Sequence, residues 1–213
     1  EQWCSHIRSG SSAVTSDARC ARCEHRKMHD DGRRWNERYA ASPTPSPGAP
    51  EVLDRWPDLA SLLPVSGRCL DIASGTGAVS LWLAQQGFEV IALDVSDVAI
   101  ARLDAAATTS GLSERIDART VDLDHGLPED IDELDLVVCQ RFRDPALYGP
   151  IVDRLRTGGL AVVTVLSSVG ADDPGPFHAP AGELSIAFGA DERCEILHQF
   201  EGDGVAHVVV RRR

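Results

Sequence analysis

Two aspartates, each closing a short apolar run, stand on either side of a glycine-rich turn in this 213-residue chain. The first run, Arg68-Cys-Leu-Asp71, leads through Ile72-Ala-Ser-Gly75-Thr-Gly77 into a helical segment opening at Ala78; the second, Phe88 to Leu93, closes on Asp94. A strand-loop-helix turn of this kind brings bare backbone N–H groups to a ligand, and a Cβ at Gly75 or Gly77 is expected to block the approach. Both acids then lie at the carboxyl edge of adjacent parallel strands, where open α/β sheets bind ligands. The glycine pattern alone is weak, because Ser80 stands where the third glycine of GxGxxG falls; the flanking acids strengthen it. The chemistry it suits is capture of a nucleotide-like molecule.

Which molecule follows from the charges. A dinucleotide cradle uses the third glycine for close helix-strand packing, and Asp71 beside the loop repels a pyrophosphate but attracts an ammonium. That favours S-adenosylmethionine (SAM). In this reading the carboxylate of its methionine part takes the N–H groups near Gly75 to Gly77, and its amino group lies near Asp71. Asp94 is placed for a bidentate hydrogen bond to two ribose hydroxyls. Asp122 or its neighbour Asp124 then meets the adenine amino group, with Val95 or Leu123 against the ring.

The elements that must hold these residues are legible in the spacing. Ala78 to Gln86 carries Val79, Leu81, Trp82 and Leu83 at helical spacing and stops at Gly87; Asp97 to Thr108 is a second helix with Ser96 as N-cap. Strands are predicted at Ile116–Val121, Leu134–Cys139 and Leu160–Leu166, alternating with helices, which argues for a parallel doubly wound sheet. A helix starting near Pro145 restarts at Pro150, and another covers 181–188. Cys194–Phe200 and Ala206–Arg211 are separated by a link too short for a crossover helix, so they form a hairpin. Upstream, Trp35 and Tyr39 share one face of a short helix, Ser42 to Pro50 is a proline-rich connector, and a helix over 50–63 is kinked or restarted near Pro57.

Composition bounds the rest. At 43% hydrophobic residues the chain buries a full core as one domain, and its formal charge of -12 argues against nucleic acid or an anionic membrane as partner. With no long apolar run and no apolar leader segment, neither a membrane span nor a secretory signal is expected, and the protein reads as cytoplasmic. Cys69, Cys139 and Cys194 sit in apolar runs and are expected in the core. Residues 1–27 differ: Cys20-x-x-Cys23 with Cys4, His6 and His25 has zinc-like spacing, but the segment is too short and polar to support ligands. They are expected to be a disordered or non-native leader without metal, ahead of a catalytic domain over 28–213.

Leu70-Asp-Ile-Ala-Ser-Gly-Thr-Gly77 resembles the first motif of class I SAM-dependent methyltransferases, and the terminal hairpin is similar to that family's antiparallel seventh strand. The resemblance covers 30–213. It implies a Rossmann-like, doubly wound, seven-stranded, mostly parallel sheet with an antiparallel last strand. Ala73 departs from the family's commoner glycine. Trp35-Asn-Glu-Arg-Tyr39, Cys139-Gln-Arg-Phe142 and Ala181-Gly-Glu183-Leu-Ser-Ile-Ala-Phe188 resemble the small-molecule branch containing tellurite-resistance and thiopurine methyltransferases. That match implies a Trp35 helix folded over the cofactor as a lid, Ala73 and Gln140 at the cofactor, and Arg141 facing the acceptor. The expected activity is methyl transfer to a small thiol, phenol or chalcogen oxyanion by a monomer or homodimer. An already anionic nucleophile needs only Arg141 as electrostatic partner; a neutral hydroxyl needs a base such as His178. An NAD(P)-dependent oxidoreductase is the alternative enzyme, disfavoured because residues 28–213 contain no lysine for a tyrosine-lysine pair. A non-catalytic SAM-binding module would keep the same cofactor residues.

Overall fold

Strands β1 (Gly67–Ile72), β2 (Phe88–Asp94), β3 (Ile116–Thr120), β4 (Leu134–Gln140), β5 (Leu155–Leu166), β6 (Cys194–Gly202) and β7 (Val205–Arg212) form one seven-stranded sheet in the order β3-β2-β1-β4-β5-β7-β6. This arrangement comes from a computed structural model, which describes the backbone of residues 21–213 and the side chains of 31–213. β1 through β5 run parallel, while β7 is antiparallel to both β5 and β6. The chain reverses its winding at β1, which pairs with β2 on one side and β4 on the other, and the crevice at such a switch point is where a ligand is received.

Helices cover both faces: α1 (Ala21–Ala40), α2 (Val52–Arg55), α3 (Leu59–Leu62), α4 (Ala78–Gln85), α5 (Asp97–Thr109), α6 (Tyr148–Arg154) and α7 (Glu183–Gly189). Alternation along the buried strands explains the two layers. Leu70, Ile72 and Leu93 point with Val137 and Val163 toward α6 and α7, where Tyr148, Ile151 and Phe188 meet them. Cys69, Val90 and Ala92 point with Leu136 and Val162 to the other face, against Val52, Leu59, Leu83 and Leu103. Cys69, Cys139 and Cys194 are buried free thiols, as expected.

Most element boundaries agree with the spacing, and the departures have local reasons. The helix near Pro57 does restart there, as α2 and α3. α6 runs through Pro150, because that residue lies in the first turn, where its missing N–H has no helical partner to lose. β5 begins at Leu155, ahead of the glycine pair 158–159, and α1 begins at Ala21, upstream of the expected domain start at Met28. The zinc-like residues Cys4, His6, Cys20, Cys23 and His25 lie outside the side chains described. Among the described residues no helix is long and apolar enough to cross a membrane.

Candidate cofactor and acceptor site

The carboxyl edge of the sheet gathers most of the residues singled out from the sequence, but uses several of them differently. Asp94, 5% exposed, closes β2. One of its oxygens accepts from the Gly75 amide at 2.8 Å and the other from the Ser96 amide at 2.9 Å, so both are fixed while each keeps a further lone pair. Burial raises its pKa, and the amide bonds oppose that rise.

The glycine loop differs from expectation in the use of its amides. Gly75 N–H is held by Asp94, Gly77 N–H by Ser74 O at 3.0 Å, and Ser74 N–H by Leu93 O at 2.9 Å, so these amides are not free to take a ligand carboxylate. The glycines are needed for shape. Gly77 has φ 85°, and a Cβ there would stand 2.2 Å from Leu103 Cδ1 of α5. Gly75 has φ 56°, and its Cβ would meet the Tyr39 hydroxyl at 2.9 Å. The turn therefore admits α5 on one side and α1 on the other, rather than a bare ligand approach. Ala73 also has positive φ, 54°, which explains why a glycine suits that position.

Asp71 is turned inward, 2% exposed, and accepts the Ser80 hydroxyl at 2.5 Å. Desolvation pushes its pKa up to about 7, with Ser80 opposing and Asp94 adding to the rise. The expected contact with an ammonium in the cleft does not follow from this geometry; the carboxyl braces the start of α4 beneath the loop. Ser80, read from sequence as the missing third glycine, is its partner.

A segment of the N-terminal part straps this edge. Asn36 Oδ1 on α1 accepts the Ser96 hydroxyl at 2.6 Å. Tyr39 lies on Gly75, stacked on Trp35 with ring centroids 5.7 Å apart, and its pKa is pushed up to about 12 by burial and by Asp94. Gly32 lies against Val95. Gly48 N–H then donates to Ala78 O at 3.0 Å, and Glu51 N–H to Gln140 Oε1 at 2.8 Å. Residues 32–51 thus pass over β2, β1, α4 and β4 in turn. The exposed flank of α1 carries Arg34 between the Trp35 and Phe177 rings, 5.6 Å from each centroid, and Arg38 over Trp35.

Other expected residues are placed less directly. Asp122 caps the turn after β3, accepting from Asp124 N–H at 3.0 Å and lying 3.3 Å from His125 Nδ1. Leu123 packs into the core beside Leu127 rather than standing free at the edge. His178 is tied into its own loop, its Nδ1 accepting from Gly175 N–H at 2.9 Å, which removes that nitrogen from base duty. Arg141 has φ 58°, donates its amide to Thr164 O at 2.7 Å, and pairs through Nε with Glu51 Oε1 at 2.7 Å. Arg143 does not reach the cleft: it pairs with Glu183, which also accepts from Tyr148 Oη at 2.8 Å. A cavity of about 490 Å³ lies beyond, between α6 and α7, lined by Pro145, Tyr148, Glu183 and Ile186, and none of the expected cofactor residues borders it. Asn36, Tyr39 and Glu51 were absent from the sequence-based site. Tyr39 had a signal, the shared face with Trp35, whereas Asn36 and Glu51 had none.

Two observations suit a polar ligand such as SAM at these residues. The Ser74 hydroxyl, in the middle of the loop, is buried without a partner among the described residues. Asp94 is pinned with unused lone pairs on both oxygens.

Residues 69–159 match the family model described as "Methyltransferase domain". A putative methyltransferase of Bacillus subtilis, YqeM, is 47% identical over 45 residues, which span 21% of this chain and 18% of that protein. Among solved structures, TehB from Haemophilus influenzae superposes with TM-score 0.63 at 20% identity, over 73% of this chain and 60% of TehB. Geranyl diphosphate C-methyltransferase from Streptomyces coelicolor A3(2), solved with S-adenosyl-L-homocysteine, does so with TM-score 0.66 at 13% identity, over 87% of this chain and 98% of that one. The chain thus spans less than two thirds of the length of YqeM and of TehB. The first motif and the matched family model thus agree on a likeness to methyltransferase domains over residues 69–159, and the solved structures share the fold of the sheet.

Proposed function

We propose that this protein binds SAM at the β1–β2 edge and transfers its methyl group to a small-molecule nucleophile at the β4 edge. The observation that carries the reading is Asp94, a buried carboxylate whose two oxygens are each fixed by a backbone amide beside the glycine loop. Fixed oxygens with spare lone pairs suit a vicinal diol, because both hydroxyls donate without reorganising the acid. Asp122 and Val95 flank the adjoining strand ends, where an adenine would lie. When bound, SAM supplies an electrophilic methyl group on a positively charged sulfonium.

The chain's own task is then positional: to hold an acceptor in line at near-attack distance and exclude water. Tyr39 and Trp35 cover the cradle from α1, and Gln140 anchors the strap by accepting from Glu51 N–H. Arg141, at the end of β4 next to β1, is the cation available to an anionic acceptor. The loops joining the strands hold no large insertion, which favours a small acceptor over a macromolecule.

Calorimetry with S-adenosylhomocysteine tests the reading. Wild-type protein is expected to bind it and to ignore NAD, and Asp94→Ala is expected to weaken binding by about 2–4 kcal/mol, the loss of two charge-assisted bonds. Unchanged affinity in that variant would remove Asp94 from the site and the reading with it. Radiolabelled SAM offered with thiols, phenols and chalcogen oxyanions then identifies the acceptor.

A further inference from the structure

Arg141 is not a bare cation waiting for an anion. Its Nε pairs with Glu51 Oε1 at 2.7 Å, and the side chains are 60% and 36% exposed. Glu51 is itself held from behind by Gln140, through its backbone amide. Gln140 and Arg141 are consecutive, so the end of β4 fixes both the backbone and the carboxylate of Glu51. The backbone of Arg141 adopts φ 58°, a conformation costly for a side-chain-bearing residue, and its amide is bound to Thr164 O. The guanidinium is thereby placed just past the end of β4 with Nε against the Glu51 carboxylate, while neither Nη group has an ion pair or hydrogen bond among the described residues.

From this geometry we infer that Glu51 is a specificity-determining residue: an internal carboxylate that competes with the acceptor's anionic group for Arg141. The inference rests on the reading of the β4 edge as the acceptor side. An exposed ion pair of this kind is weak, so the competition changes anion affinity a few-fold rather than excluding anions. The selection follows from shape. An oxyanion that spans both Nη groups binds while Glu51 keeps Nε, whereas an anion that needs the Nε edge must evict a carboxylate anchored by its own backbone. Glu51 therefore lowers the affinity for all anions and favours acceptors with a bidentate oxyanion group facing the outer edge of the guanidinium.

The test uses inorganic sulfate as probe on the full chain, with the Arg141 Nε–H resonance, assigned by its loss in Arg141→Gln, followed by NMR. Glu51→Gln keeps the side chain's size and removes its charge. Sulfate is expected to bind it about three to five times more tightly than wild type, the factor that an exposed pair contributes. Glu51→Asp, which restores the charge, is expected to return the affinity toward wild type, and S-adenosylhomocysteine affinity is expected to be unchanged in both. Equal sulfate affinity in wild type and Glu51→Gln overturns the inference, as does the absence of any Arg141 response to sulfate in both proteins. Should Glu51→Gln fold poorly, as judged by its melting curve, Glu51→Ala is read in the same way. Failure of wild type to bind S-adenosylhomocysteine would instead strike the cofactor reading and leave the sulfate comparison intact.

Discussion

On the β1–β2 side of the switch point, Asp71 and Asp94 are 2% and 5% exposed and are satisfied by partners 9, 19 and 2 residues away in sequence. On the β4 side, Arg141 is 60% exposed and Glu51 36%, and the bond from Glu51 N–H to Gln140 joins positions 89 residues apart. The first half is fixed, built from local turns and buried carboxyls. The second is a surface assembled by a strap from elsewhere in the chain, held by exposed pairs that exchange with solvent. Under the proposed function, the fixed half would take the cofactor and the exposed half the acceptor, the part that differs between functions built on one fold.

The rigid half is broken most severely at Gly77. Its positive φ disfavours any side chain, and a Cβ 2.2 Å from Leu103 Cδ1 would force the buried Leu103 side chain to move. Gly77→Ala is expected to cost about 2–5 kcal/mol, from overpacking against α5 together with the left-handed backbone. Chemical denaturation measures it. A loss below 1 kcal/mol would mean that α5 slides freely on the loop and that the cradle is not rigid.

Legibility in the sequence followed the same division. Asp71, Gly75, Gly77 and Asp94 were readable because a buried strand followed by a tight turn forces glycine and a capping acid into fixed spacing. What the sequence did not reveal was direction. Nothing in Leu-Asp71-Ile says that the carboxyl faces Ser80 rather than the cleft, because that depends on which way α4 packs. Likewise nothing in the loop shows that the amides of Ser74 and Gly75 are occupied, because their acceptors, Leu93 and Asp94, lie on the neighbouring strand. On the β4 side, Arg141 was readable by its place after a strand, but Glu51 was not. It sits in a proline-flanked connector whose path over the sheet edge is set by tertiary contacts alone. His178 shows the same dependence: the turn from Gly175 to His178 ties up Nδ1 locally and leaves only Nε2 open.

The buried acid of the cradle gives the next largest effect. Asp71 is held near neutrality by desolvation, with its pKa raised from 3.8 to about 7. The unfolded chain therefore gives up this proton at lower pH than the folded one, and the Asp71 contribution to stability falls as pH rises from about 4 to about 7, then levels. Asp71→Asn removes that dependence. Denaturation at about pH 5 and about pH 8 is expected to show wild type losing on the order of 2–4 kcal/mol relative to the variant between the two. Parallel behaviour of the two proteins would place the ionised carboxylate in a better-solvated site than the loop provides.

The acid on the other half titrates with the opposite sign and a smaller amplitude. Glu183 lies on α7 with Arg143 and Tyr148 against its carboxylate, and the Arg143 bond in particular lowers its pKa from 4.5. Here the folded chain holds its proton less well than the unfolded one, so the contribution is fully present above 4.5 and is lost as pH falls through the depressed value. Glu183→Gln keeps an acceptor for Tyr148 but removes the charge facing Arg143, and is expected to cost about 1 kcal/mol at neutral pH. The gap to wild type should close at pH values well below 4.5, where wild type is protonated as well. S-adenosylhomocysteine affinity should not move, because the network joins α6 and α7 and no cofactor residue belongs to it. A gap that persists in acid would assign the loss to packing of the amide rather than to the ion pair. A change in cofactor affinity would show that the two halves of the sheet edge are coupled through β4.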